Sequence, residues 1–283
     1  MTLAGYQIDL VHAGMLGLDG GAMFGIVPRP LWERHITPDA SNRIPLAMRC
    51  LLLRGHGRTL LVDTGLGDKT NAKFDRIYAV DRTHTLLGSL ASLGVSPDDV
   101  TDVLLTHLHF DHGGGATRRS ETGALELTFA NATHHVQRRH WEWAHASPRE
   151  QASFLAENLR PLEASGRLHL LDGTESPFPH LELAIVDGHT RGQQLPILSD
   201  GDTTLFYAGD LLPTAAHVPL LWIMAYDVEP LETVREKERL LAQAAAEAWL
   251  VVFEHDPVHA VGKIQATDRG FVATSLSEAL PEG

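Results

Sequence analysis

The sequence predicts a layered α/β fold. Two patterns carry this expectation: short apolar runs of strand length, each ending in a polar residue, and longer stretches of helical spacing between them. A third observation says where such a fold would keep its chemistry. The run His107-Leu108-His109-Phe110-Asp111-His112 comes soon after the apolar Val103-Leu104-Leu105 and is followed at once by Gly113, Gly114 and Gly115. It lies in a loop at the C-terminal end of a buried strand, the place where layered α/β folds build their sites.

In chain order, residues 1–11 read as a first strand. Residues 14–44 are rich in glycine and proline, and their apolar side chains follow no clear period. They are expected to be an N-terminal loop covering the site or packing at a domain or dimer edge. Residues 51–53 and 59–63 form a hairpin through Gly55-His56-Gly57. Residues 84–93 have helical spacing and stop at Gly94. A strand is expected over 125–129, helices over 136–145 and 148–164, and a strand over 181–186. A hairpin follows over 195–198 and 204–207, then a long amphipathic helix over 231–249 and a last motif strand from Leu250. With no repeat, low-complexity segment or linker, residues 1–283 read as a single domain.

Further polar residues close other apolar runs. His189 follows the 181–186 strand, Asp210 ends Leu205-Phe206-Tyr207-Ala208-Gly209, His255 ends Leu250-Val251-Val252-Phe253-Glu254, and Asp63 ends Leu60-Leu61-Val62. Imidazole and carboxylate together suit zinc, and also manganese or iron.

On these motifs, from about Leu51 to His255, the chain resembles the metallo-β-lactamase superfamily. The resemblance implies a four-layer αββα sandwich, two sheets face to face with helices outside. It implies that His107, His109 and His189 hold one metal ion, that Asp111, His112 and His255 hold a second, and that Asp210 bridges them. Asp63 would orient a ligand from behind. A bridging carboxylate is usual in the lactonases, thioesterases, phosphodiesterases and organophosphate hydrolases of the family and generally lacking in true β-lactamases. The lactonase and organophosphate-hydrolase neighbourhood fits best. Two positions depart from its pattern. Leu211, Leu212 and Pro213 stand where a tyrosine often follows the bridging aspartate, and Arg191 and Gln193 replace the proline and histidine of the third motif. Gln193 is read as a hydrogen-bonding residue behind the ligands, and Tyr226 as a stand-in for the missing tyrosine. Phe24, Trp32, His217 and Trp222 are the further pocket candidates.

The function expected is a dinuclear zinc-dependent hydrolase in which a metal-bridging hydroxide attacks a small ester or lactone, with Asp111 also passing a proton to the leaving oxygen. An organophosphate or phosphoester hydrolase with the same site is the first alternative. A metal-dependent oxidoreductase or a non-catalytic metal-binding module is the second. The cofactor would be two divalent ions, zinc before manganese or iron.

Composition narrows the partners. A formal net charge of -13 disfavours nucleic acid and anionic membranes, which attract basic surfaces. Cys50 is the only cysteine and sits in an apolar run, which reads as packing. No apolar stretch approaches the roughly 20 residues of a membrane span, and no signal peptide is evident. A small-molecule substrate, a cytoplasmic location and a homodimer are expected.

Overall fold

The computed structural model describes residues 1–281. The first half runs β1 (Thr2–Leu3), β2 (Tyr6–Asp19), α1 (Gly20–Phe24), α2 (Arg29–Trp32), β3 (Arg43–Gly55), β4 (Arg58–Val62), α3 (Ala72–Ile77), α4 (Leu86–Ser92), β5 (Asp102–Leu104) and α5 (Phe110–Gly113). The middle holds β6 (Thr117–Arg119), β7 (Leu125–Leu127), β8 (Thr133–Gln137), α6 (Arg138–Ala146), α7 (Ala156–Ala164) and β9 (Leu168–Leu171). The rest is β10 (Leu181–Val186), β11 (Gln193–Ser199), β12 (Thr204–Tyr207), α8 (Pro230–Ala246), β13 (Leu250–Val252), β14 (Val261–Thr267) and β15 (Gly270–Ser277).

The strands make two large sheets, in the orders β1-β2-β3-β4-β5-β8-β9 and β10-β11-β12-β13-β14-β15, and a small ribbon of β6 and β7. Side-chain alternation explains the layering. Leu51 and Leu53 of β3, Leu60 and Val62 of β4, and Leu205 and Tyr207 of β12 share one buried cluster between the sheets. Their neighbours Cys50, Leu52 and Leu61 face the other way, into a cluster with Leu86 and Leu90 of α4 and Trp141 of α6. On the far side, Phe206 and Val251 pack against Leu240, Leu241 and Ala244 of α8. Three apolar seams separate four layers, which is the αββα sandwich. The central strands read as near-continuous apolar runs because both faces are covered. Burial raises the Cys50 thiol well above its ordinary value, consistent with packing. Among the described residues, no helix is long and apolar enough to cross a membrane.

Several expectations need correction. Residues 14–44 are not a loop: β2 continues to Asp19 and pairs with β3 down to Asp19↔Arg43, and two short helices connect them. Gly14 does not end the strand. It lies at a register shift between His12 and Met15 with φ of 111°, where an added Cβ would come within 3.0 Å of the Asp81 carbonyl. The glycine bends β2 so that it stays packed. Helix α6 starts at Arg138, because Val136 and Gln137 still pair with β9. Only Ala156–Ala164 of the 148–164 segment is helical. The hairpin β14–β15, which closes the second sheet, has too little alternation to be read from the sequence.

One core residue carries a cost. His134 of β8 is fully buried, and neither ring nitrogen has a hydrogen-bond partner among the described residues. Burial pushes its imidazole down to about 4. An unfolded histidine titrates near ~6.5, so between those values the unfolded chain takes up a proton that the fold refuses, and stability falls as pH drops. The change His134→Leu should stabilise the fold by about 2 kcal/mol more at pH 5 than at pH 8. Urea denaturation at the two pH values checks this; an equal gain at both would show that the ring is not held neutral.

Candidate metal centre

The five motif segments leave the same ends of their strands and meet at one rim of the sandwich. Asp63 follows β4, the 107–112 run follows β5, His189 follows β10, Asp210 follows β12 and His255 follows β13. The first two are stitched together by backbone. Asp63 N donates to the Leu104 carbonyl at 3.0 Å, Thr64 N to the His112 carbonyl at 2.8 Å and Gly115 N to the Gly65 carbonyl at 2.9 Å. The triple glycine makes this possible. A Cβ on Gly114 would lie 2.3 Å from the Leu66 oxygen, and one on Gly115 2.2 Å from the Thr64 oxygen.

The structure brings all seven expected ligands together. His107, His109, His189 and Asp210 form one group, and Asp111, His112 and His255 another, with the ligand atoms of each within 4.8 Å of one another. Nε2 of His107 and Nε2 of His189 lie 3.0 and 3.2 Å from Nδ1 of His109. Nε2 of His112 and Nε2 of His255 lie 3.1 Å apart. Ligands about 2.0–2.1 Å from a common tetrahedral ion stand roughly 3.3 Å apart, so these spacings fit a shared cation. Asp210 joins the groups: its Oδ2 is 3.1 Å from Nε2 of His189, and its Oδ1 is 3.0 Å from Nε2 of His255. That Oδ1 is buried without a hydrogen-bond partner among the described residues. Asp111 is set further back, its oxygens 3.9 Å from His255 and 4.0 Å from His112.

The electrostatics agree with the donor chemistry. Burial alone would depress every imidazole here, yet the Asp210 carboxylate, with Asp227 beside one ring and Glu254 beside the other, raises His189 to about 10 and His255 to about 9. Burial works against Asp210 as well, but His112, His255 and His189 hold it well below the usual carboxylate range. His107 moves the other way, pushed far down by burial and by the neighbouring imidazoles. The fold therefore stabilises positive charge around Asp210, which is what a divalent ion would supply.

Four of the five imidazoles are fixed from behind by a carboxylate or carbonyl, and most of these partners were not evident in the sequence. Asp63 behaves as expected: it accepts from the Thr106 backbone and hydroxyl at 2.7 Å each and pairs with Nδ1 of His112 at 3.1 Å. Glu254 also approaches that nitrogen, at 3.2 Å. His109 is turned by Glu150, 2.9 Å from its Nε2, which in turn accepts from Trp143 and Ser147. His189 is held through Nδ1 by Asp227 at 3.0 Å, and His255 donates from Nδ1 to the Ala47 carbonyl at 2.6 Å. Glu150 and Asp227 lie far from any ligand motif in the sequence, so no spacing announced them. Gln193 does not take the expected role. It is buried but bonds no ligand, while its neighbour Gln194 binds the Leu105 and His135 carbonyls. Arg191 finds a use outside the site, over the Trp143 ring at 4.5 Å.

Above the ligands opens a cavity of about 280 Å³ with Leu18, Met23, Leu46, Phe110 and Met224 as its apolar walls. Tyr78, Arg149, Ser153 and Tyr226 also line it. Of the five expected pocket residues only Tyr226 lines this space. Phe24 and Trp32 are buried in the core, stacked at 5.3 Å. His217 stacks on Phe24 at 4.4 Å and is bonded to Thr214 and to the Met23 carbonyl. Trp222 packs edge-on against the same Phe24 ring. None of these aromatics lines the cavity; His217 bonds the carbonyl of Met23, which does.

The sequence profile of the metallo-β-lactamase superfamily matches residues 45–255, the stretch that carries every ligand. The chain belongs to the metallo-β-lactamase superfamily. Among its relatives is an N-acyl homoserine lactonase of Bacillus cereus, 27% identical over 169 residues. That match covers 56% of this chain and 60% of the lactonase. A probable metallo-hydrolase of Mycobacterium tuberculosis (strain ATCC 25618 / H37Rv) is 26% identical over 67% of this chain and 66% of its own. The chain thus spans about three fifths to two thirds of the length of these relatives. Among solved structures, a probable metal-dependent hydrolase from Staphylococcus aureus superposes with a TM-score of 0.89 at 29% identity, over 100% of this chain and 99% of that one. AidC, a dizinc quorum-quenching lactonase, shares the fold with a TM-score of 0.79 at 20% identity, over 100% and 96% of the two chains.

The outer hydrogen bonds predict a graded result. Glu150→Gln and Asp227→Asn should each weaken metal retention roughly 10–100-fold, because His109 and His189 lose the carboxylates that aim them. Phe24→Leu should lower stability and leave retention unchanged. Competition with a chromogenic chelator measures all three, and equal retention in all would remove the orienting role.

Proposed function

We propose that this protein is a dinuclear zinc-dependent hydrolase of small esters or lactones. One observation carries the reading: the two ligand groups share the single buried carboxylate of Asp210, at the floor of a small and mainly apolar cavity. Two divalent ions held there would supply a nucleophile at neutral pH and draw electron density from a carbonyl oxygen. The lactonase names of the Bacillus relatives support the choice of bond.

The chain's own groups account for the rest. The apolar walls exclude water and hold an alkyl or acyl portion. Tyr226 stands on the wall, and burial lifts its phenol to about 12, so at neutral pH it is protonated and able to donate to a substrate carbonyl. This gives Tyr226 the role of the tyrosine missing after Asp210. Asp111 also faces the cavity and is set back from the imidazoles, a position from which it would carry a proton to the leaving oxygen.

A second reading rests on a separate observation. Tyr78 and Phe110 lie 5.4 Å apart on one side of the cavity, an aromatic wall that would also receive the aryl leaving group of a phosphotriester. Turnover of zinc-loaded protein on γ- and δ-lactones and on an aryl phosphotriester separates the two. Lactone opening that is faster than phosphotriester cleavage and lost in Asp210→Ala supports the leading reading; the reverse order would replace it. Tyr226→Phe should lower kcat/KM on lactones about tenfold while both metals stay bound. Asp111→Asn with metals retained and full activity would eliminate the proton-carrying role.

A further inference from the structure

Arg149 is the one lysine or arginine that lines the cavity among the described residues. It stands at the mouth, exposed, on the turn that also carries Glu150. That turn is firmly placed. Glu150 is pinned by His109 at 2.9 Å, Trp143 at 2.5 Å and Ser147 at 2.9 Å, so its carboxylate is already engaged and does not neutralise its neighbour. The Arg149 guanidinium reaches across the mouth and donates from one terminal nitrogen to the Ala225 carbonyl at 2.5 Å. That is its one hydrogen bond among the described residues, and no carboxylate lies within ion-pair distance of it. Its other donors are left beside a cavity whose walls are mainly apolar.

A guanidinium held by the Ala225 carbonyl, with its other donors unfilled, is suited to a planar anion. Among the described residues it is also the lone guanidinium on this cavity, in a chain of net charge -13. We infer that Arg149 is a specificity-determining residue that selects esters or lactones carrying a carboxylate on the portion facing the cavity mouth. The inference rests on the hydrolase reading above and deepens it. The reacting bond sits over Asp210, the apolar walls take the connecting chain, and Arg149 receives the distal carboxylate.

The test compares two esters of equal chain length, monomethyl glutarate and methyl valerate, which differ in a terminal carboxylate against a methyl. In each, water adds across the ester bond and releases methanol and the free acid. Zinc-loaded wild type should prefer the half-ester through a lower KM, and Arg149→Gln should shrink that preference about 10–100-fold, with Arg149→Lys restoring part of it. Equal use of both esters by the wild type would overturn the inference. So would an equal rise in KM for both in Arg149→Gln, because the side chain would then only strap the two walls together. If neither ester is hydrolysed, the hydrolase reading is at fault, and calorimetry with glutarate decides the inference separately. Binding at least tenfold weaker in Arg149→Gln than in wild type upholds the site, and equal binding removes it.

Discussion

The carboxylate of Asp210 is the group around which the rest of the rim is arranged. It is buried, one oxygen turned toward His189 and the other toward His255, and Oδ1 has no hydrogen-bond donor to itself. A buried anion in that state is costly unless cations surround it. The chain answers with five imidazoles, and the carboxylate draws protons toward the two nearest ones. A divalent ion on each side would meet the same demand with ligand spacings already in place. Everything further out serves to keep those imidazoles aimed.

That aiming comes from a ring of acceptors on the far nitrogens. Asp63, Glu150, Asp227 and the Ala47 carbonyl each hold one ring. They arrive from four different parts of the chain, so the site is braced by the sandwich as a whole rather than by one loop. Asp63 pays for its place with a φ of 57°, a conformation that a non-glycine residue keeps only when its surroundings determine it. Thr106 and His112 supply that determination.

The cavity divides its labour in space. Ligands form the floor, apolar side chains from β2, β3 and the 224 turn form the walls, and the polar groups Tyr226 and Arg149 stand toward the mouth. The aromatic cluster of Phe24, Trp32, His217 and Trp222 lies one layer behind. His217 within it bonds the carbonyl of Met23, which lines the wall, so the cluster's influence on a substrate would be indirect.

The sequence by itself determined the layered fold and the candidate ligand set, for a physical reason. Ligands at strand ends follow apolar runs, and the 107–112 cluster is too dense in imidazole and carboxylate to be explained by packing. The hairpins around Gly57 and Gly201 and the helix ending before Gly94 were legible because their signals are local. What only the tertiary structure decided depends on contacts between distant segments. The glycine-rich 14–44 stretch looked like a loop, yet Gly14 serves a bend in a long paired strand. Gln193 looked like a brace from its place in the motif, whereas the braces are Glu150 and Asp227, which sit 41 and 38 residues from the imidazoles they hold. Phe24 and Tyr226 were both read as pocket candidates. Only packing sends one into the core and the other to the cavity wall, since burial is a property of the neighbours and not of the residue.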